Sequence, residues 1–134
     1  ADNARFCLSE VKLGIVPAVI SPYVVRAMGA RQANRYFMTA EVIPAERAVA
    51  LGIAHEVVPE SELNDSVDSL INALLAAAPQ AQIEARNLIA RVSHGPIDQA
   101  MLDDTADLIA RLRTGEEGQE GLSAFLEKRT PNWI

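Results

Sequence analysis

From Leu63 onward the apolar residues fall at helical spacing. Leu63, Val67, Leu70, Ile71, Leu74 and Leu75 form one stripe of 3.6-residue period, which predicts an amphipathic helix. Ser61 and Asn64 are candidates to cap its start, and Pro79 ends it. An alanine-rich helix is predicted over residues 80–92, followed by a Gly95-Pro96 turn. Ile97, Met101, Leu108, Ile109 and Leu112 mark a third helix reaching about Arg113. Gly115 and Gly118 bracket acidic residues, and Leu122, Phe125 and Leu126 mark a last helix.

The front of the chain carries a different pattern. Residues 5–8 read as a strand, followed by a loop containing Gly14 and Pro17. Ser21-Pro22 predicts a helix start, with a hydroxyl N-cap and proline at the first helical position, and Gly29 predicts its end. Residues 31–38 predict a second short helix carrying Tyr36 and Phe37. Residues 44–52 predict a third, from Pro44 to Gly52. Residues 53–58 read as extended, closed by Pro59. One or two strands do not make a stable sheet alone. The front therefore reads as the last rung of a larger layered structure, and the chain, which opens Ala1-Asp2-Asn3, as part of a longer polypeptide. Neither a repeat nor a linker interrupts it.

Composition narrows the function classes. The 134 residues are 49% hydrophobic and 22% charged, which excludes wholesale disorder. Eighteen acidic residues against 12 basic ones give a net charge of −6, contrary to the basic face that a nucleic-acid binder needs. The charge-free stretches at residues 13–25 and 69–83 are broken by proline and fall short of the ~18–20 apolar residues of a membrane span. The single cysteine, Cys7, forms no internal disulfide, and the simplest setting is a reducing, cytoplasmic one.

Motif chemistry is sparse. CxxC, HExxH, GxGxxG and GxSxG are all absent. His55 and His94 stand far apart without metal-ligand neighbours, and both read as structural or solvated. Cys7 lies in the apolar strand run and reads as a buried, inert thiol. Glu116, Glu117 and Glu120 read as a solvated face whose carboxylates complement a helix dipole. Glu10 stands apart. It follows the strand and precedes a loop bearing Val11, Leu13, Ile15 and Val16, a setting in which a desolvated carboxyl group can transfer protons. The bland alternative is a partly exposed glutamate paired with Lys12 or Arg5.

The segment Phe6-Cys7-Leu8-Ser9-Glu10-Val11-Lys12-Leu13-Gly14-Ile15-Val16-Pro17 resembles the second catalytic segment of the crotonase (enoyl-CoA hydratase/isomerase) superfamily. The resemblance continues in order through Val24–Gly29, Met38-Thr39-Ala40-Glu41, the helix ending at Gly52-Ile53, and His55–Pro59, which is similar to the family's last strand. It ends on Glu120-Gly121-Leu122-Ser123-Ala124-Phe125-Leu126-Glu127-Lys128-Arg129, similar to the C-terminal signature.

The resemblance implies an α/β fold of ββα-spiral parentage, present here as a mostly α-helical C-terminal portion with one or two residual strands. Residues 1–59 would be the end of the spiral acyl-CoA-binding domain and residues 60–134 a helical trimerisation domain. Glu10 matches the second catalytic glutamate, which in the hydratases delivers a proton to the α-carbon. The first glutamate and both oxyanion-hole amides belong to the preceding half, so this chain alone is expected to be inactive. Lys128 matches the lysine that reaches the CoA phosphate or adenine, often in a neighbouring subunit, and Ile109 stands where some members carry phenylalanine.

The resemblance implies that Pro17, Val19 and Ile20 help shape the acyl pocket, where many members have a glycine-rich stretch. The run Pro17-Ala18-Val19-Ile20-Ser21-Pro22 resembles the methylglutaconyl-CoA hydratase branch, whose acyl carboxylate Lys12 or Arg26 could meet. The implied function is an enoyl-CoA hydratase-type lyase of fatty-acid or branched-chain amino-acid breakdown. It would use no cofactor beyond the CoA of its substrate and no metal, and would assemble as a homotrimer or hexamer without nucleic acid or membrane. The alternatives are an enoyl-CoA isomerase of the same superfamily and a non-catalytic helical oligomerisation module.

Overall fold

The computed structural model describes all residues, 1–134. The chain divides into two compact units, Ala1–Val67 and Asp68–Ile134.

The first unit is built on one small hydrophobic core. Strand β1 (Arg5–Phe6) pairs antiparallel with β2 (Ile43–Pro44), with Arg5 opposite Pro44 and Phe6 opposite Ile43. Helix α1 (Ser21–Thr39) is interrupted at Gly29, whose φ of 77° and ψ of 153° are open to glycine at little cost. The break turns one long helix into the two shorter ones that the sequence predicts. Helix α2 (Ala45–Ala50) follows, with Pro44 as its N-cap. Leu8, Met28, Ala33, Tyr36, Ile43, Ala48 and Leu51 form the buried cluster, and Val24, Val25, Phe37, Ile53 and Ala54 pack against it. Gly52, at φ 76°, lies where a Cβ would be 2.8 Å from the Ala27 carbonyl oxygen, so α2 ends tight against the first half of α1.

Three expectations fail in this unit. Residues 53–58 form no strand: Val58 accepts one backbone bond, from Asp2 N–H (2.9 Å), and no ladder develops. The β-branched run has strand propensity but no neighbouring edge to pair with. Ser21 does not cap α1; the N-cap is Ile20, and the Ser21 hydroxyl donates to the Ala18 carbonyl at 2.8 Å. The strand predicted over 5–8 stops at Phe6, so Cys7 lies past its end on the wall of an open groove and is exposed rather than buried, its thiol donating to the Ala40 carbonyl at 3.4 Å.

Helix α3 (Leu63–Leu75) has the bounds its apolar stripe predicts, but a 3₁₀ turn over Glu60–Glu62 leads into it in place of a side-chain cap. In the second unit, α4 (Pro79–Val92), α5 (Gln99–Thr114) and α6 (Glu116–Glu127) follow one another through short turns. Pro79 opens α4 instead of ending α3, which stops at Leu75. Asp98 caps α5 by accepting from Met101 N–H at 2.9 Å. Helices α5 and α6 cross closely at Gly118, where a Cβ would lie 2.1 Å from the Leu112 carbonyl oxygen.

The acidic group here is not a merely solvated face. Glu117 accepts from Gln80 N–H (2.9 Å) and Ala81 N–H (2.8 Å), capping α4 from α6. The backbone donors at a helix start need acceptors, and this carboxylate supplies two. Leu108 and Ala124 are buried, whereas α3 and α4 bury none of their residues and leave Leu70 62% and Leu75 67% exposed.

Candidate active site

Glu10 opens a 3₁₀ turn, Glu10–Leu13, two residues beyond buried Leu8. The turn is closed by backbone bonds from Lys12 N–H to Ser9 O (3.0 Å), Gly14 N–H to Val11 O (3.3 Å) and Ile15 N–H to Glu10 O (3.2 Å). Gly14 leaves the turn at φ 75°, a conformation that strains any residue bearing a Cβ. Such local bonding fixes the backbone from which the Glu10 side chain departs. Its Oε2 is buried and has no hydrogen-bond partner. The residue as a whole is partly exposed, and no ion pair joins it to Lys12 or Arg5. A buried carboxylate oxygen left without a donor is costly to a fold, and a catalytic role is one of the few ways to account for it.

An apolar groove of about 370 Å³ opens in the same unit, lined by Phe6, Cys7, Leu8, Ile20, Tyr23, Val24, Ala27 and Ile53. Of the residues assigned to an acyl pocket, Ile20 lines it. Pro17 is buried in the preceding loop, and Val19 is 87% exposed and outside the lining. The loop itself is pinned: Ala18 N–H donates to Val16 O (2.8 Å), Ser21 N–H to Pro17 O (3.0 Å) and Tyr23 N–H to Ile20 O (3.1 Å). Lys12 and Arg26 are exposed and stand outside the groove lining. His55 and His94 are exposed, and no group of three or more His, Cys, Asp or Glu side chains is placed to hold a metal ion.

In the second unit, Lys128 is exposed and forms the C-cap of α6 in the left-handed conformation. Ile109 is 63% exposed on α5. Next to Lys128, Arg129 grips Glu120 through two parallel bonds, Nη1 to Oε1 (2.6 Å) and Nη2 to Oε2 (2.8 Å), and reaches Glu127 through Nε at 2.7 Å. The bond from Arg129 is the chief reason the Glu120 carboxyl is held below the usual carboxylate range, opposed by partial burial and assisted by Asn132 N–H at 2.9 Å. Arg129 is correspondingly raised, first by Glu120 and then by Glu127. The C-terminal signature contains both partners, yet their pairing is invisible in sequence spacing alone. A separate hollow of about 730 Å³ lies among Ala78, Leu112, Gly118, Gly121 and Trp133, and Lys128 does not line it.

The family model for enoyl-CoA hydratase/isomerase matches residues 1–134. Carnitinyl-CoA dehydratase of Escherichia coli (strain K12) is 32% identical over 145 residues, covering 99% of this chain and 52% of the relative. A crystal structure described as an enoyl-CoA hydratase/isomerase (crotonase), from Legionella pneumophila, is 47% identical with a TM-score of 0.94, covering 98% of this chain and 51% of that one. An enoyl-CoA hydratase structure from Shewanella pealeana is 52% identical with a TM-score of 0.91, covering 97% of this chain and 48% of that one. The chain spans about half the length of the curated relatives it matches.

Proposed function

This chain belongs to the enoyl-CoA hydratase/isomerase (crotonase) family, and from that premise we propose that the complete protein is a hydratase-type lyase that adds water across the 2,3 double bond of an enoyl-CoA thioester. The observation that carries this reading is Glu10 Oε2, buried and without a hydrogen-bond partner in this chain. In the proposed reaction a water oxygen bonds to the β-carbon as the double-bond electrons move to the α-carbon. Glu10 supplies the α-carbon proton, and the water's proton passes to a second carboxylate in the family's N-terminal half. The charge that develops on the thioester oxygen is met by two backbone amides from that half. Without those groups the 134-residue chain is inactive.

The groove lined by Phe6, Leu8, Ile20 and Val24 supports an aliphatic acyl chain as the part recognised beside Glu10. Ile20 in that lining, where a glycine would leave more room, extends the proposal to branched, methylglutaconyl-type thioesters. Lys128 would meet the phosphates of CoA. The exposed apolar faces of α3 and α4 support residues 60–134 as the surface of a homotrimer or a dimer of trimers.

The test is addition of crotonyl-CoA, 3-methylglutaconyl-CoA and, separately, a 3-enoyl-CoA to the purified complete protein, following the enoyl-thioester absorbance and appearance of the 3-hydroxyacyl product. Hydration of either substrate supports the lyase reading. Conversion of a 3-enoyl-CoA to the 2-enoyl isomer with no hydration would replace it with the isomerase reading.

A further inference from the structure

Lys128 stands where the chain leaves α6, at φ 54° and ψ 39°. Glycine or asparagine takes this position readily, whereas a lysine carries a steric cost there. Strained backbone of this kind persists where its surroundings over-determine it, and it concentrates at functional sites. Two main-chain bonds define the corner. Lys128 N–H donates to Phe125 O (3.3 Å) and Arg129 N–H to Ala124 O (3.0 Å), closing the corner through the main chain.

The Arg129 side chain then commits its donors to the protein. Nε bonds Glu127 Oε2 (2.7 Å), Nη1 bonds Glu120 Oε1 (2.6 Å) and the Thr130 carbonyl (3.3 Å), and Nη2 bonds Glu120 Oε2 (2.8 Å). Two carboxylates neutralise one guanidinium, which leaves Arg129 little capacity to bind an anion itself. The adjacent Lys128 ammonium is exposed and makes no ion pair. A lysine is a compact charge on a flexible stem, so its grip on a phosphate gains from a base that does not move.

We propose that Arg129 is a positioning residue: clamped by Glu120 and Glu127, it holds the left-handed corner from which Lys128 meets a phosphate group of the CoA thioester. This rests on the reading above that Lys128 contacts CoA, and adds the device that fixes it.

The experiment is a double-mutant cycle in the complete protein, with CoA and phosphate-free pantetheine as calorimetric probes. Lys128→Ala is expected to weaken CoA about tenfold or more, as for loss of one charge-assisted contact. Arg129→Lys keeps the charge but loses the two-pronged grip. It is expected to weaken CoA severalfold, and in turnover the loss falls on KM rather than kcat. In the Lys128→Ala background it should cost nothing further, since the two act through one contact. Pantetheine binding should be unmoved by either change.

Lys128→Gly is expected to melt at a higher temperature than the parent while binding CoA as weakly as Lys128→Ala. If Lys128→Ala binds CoA like the parent, the CoA-contact reading fails. If Lys128→Ala weakens CoA but Arg129→Lys does not, or the two losses add, the clamp fails and the CoA contact stands. A parallel loss with pantetheine overturns the phosphate assignment. Should Arg129→Lys fail to fold, Glu127→Gln, which removes one of the two anchoring carboxylates, completes the same cycle.

Discussion

Replacing Gly118 by alanine sets two effects of opposite sign against each other. Gly118 lies in the first turn of α6, and alanine in a helix is favoured over glycine by about 1 kcal/mol. The added Cβ, however, would lie 2.1 Å from the Leu112 carbonyl oxygen, 3.1 Å from the Leu112 carbonyl carbon and 3.3 Å from the Arg113 Cα. Ordinary contact begins near 3.4 Å, so the two backbones must separate by more than an ångström. All three obstructing atoms are main chain, which cannot rotate away. Gly115, the only residue between α5 and α6, leaves no slack to absorb the shift. Overpacking against rigid neighbours costs about 1–3 kcal/mol or more, so the clash outweighs the propensity gain and the net loss should be about 2 kcal/mol.

The assay is denaturant unfolding of this chain followed by the fluorescence of its one tryptophan, Trp133, which donates to the Ala76 carbonyl at 3.3 Å in the second unit. Gly121→Ala is the control: its Cβ would meet only the far edge of the Trp133 ring, at 3.0 Å, and its effect should stay within about 1 kcal/mol. A Gly118→Ala protein as stable as the parent, or more so, would refute the close crossing of α5 and α6.

Gly52→Ala should also destabilise, by about 2 kcal/mol, because a left-handed φ of 76° and a carbonyl 2.8 Å away act together; thermal melting by circular dichroism reads it. The pairing of Glu120 with Arg129 predicts an acid limb in stability. Since the folded carboxyl lies below its ordinary value, the unfolded chain takes up the proton first. The contribution is complete at neutral pH and is lost as pH falls through the ordinary glutamate range to the folded value. Glu120→Gln should therefore lower stability at pH 7 and flatten its decline on acidification, and an unchanged acid limb would contradict the pairing.

Periodicity made the helices legible because amphipathic spacing is local. The stripe from Leu63 to Leu75 predicts the bounds of α3, and Gly29 and Gly52 mark two of the positive-φ corners of the first unit. What escaped the sequence was pairing at a distance. Residues 53–58 have the composition of a strand, but a strand needs a partner edge; Ile53 and Ala54 N–H donate back to Ala48 O, and Val58 accepts from Asp2 N–H, without a ladder. Cys7 has apolar neighbours in sequence, yet exposure is set by which elements cover it. Glu117 and Glu120 look like surface charge until the distant backbone of Gln80 and Ala81, and the guanidinium of Arg129, come to meet them. Glu10 stands out as a candidate by residue type and position, whereas the isolation of its Oε2 depends on packing that spacing does not reveal.

The most direct test of the proposed chemistry is steady-state turnover of the complete protein carrying Glu10→Gln, with the enoyl-CoA it hydrates best. A neutral isostere preserves the shape of the site but cannot supply the α-carbon proton. The expected result is a fall in kcat of about 10²–10⁴-fold, the range for an acid–base residue, with KM nearly unchanged. A Glu10→Gln enzyme that turns over at close to the parental kcat would contradict the account and leave Glu10 a structural residue of its turn.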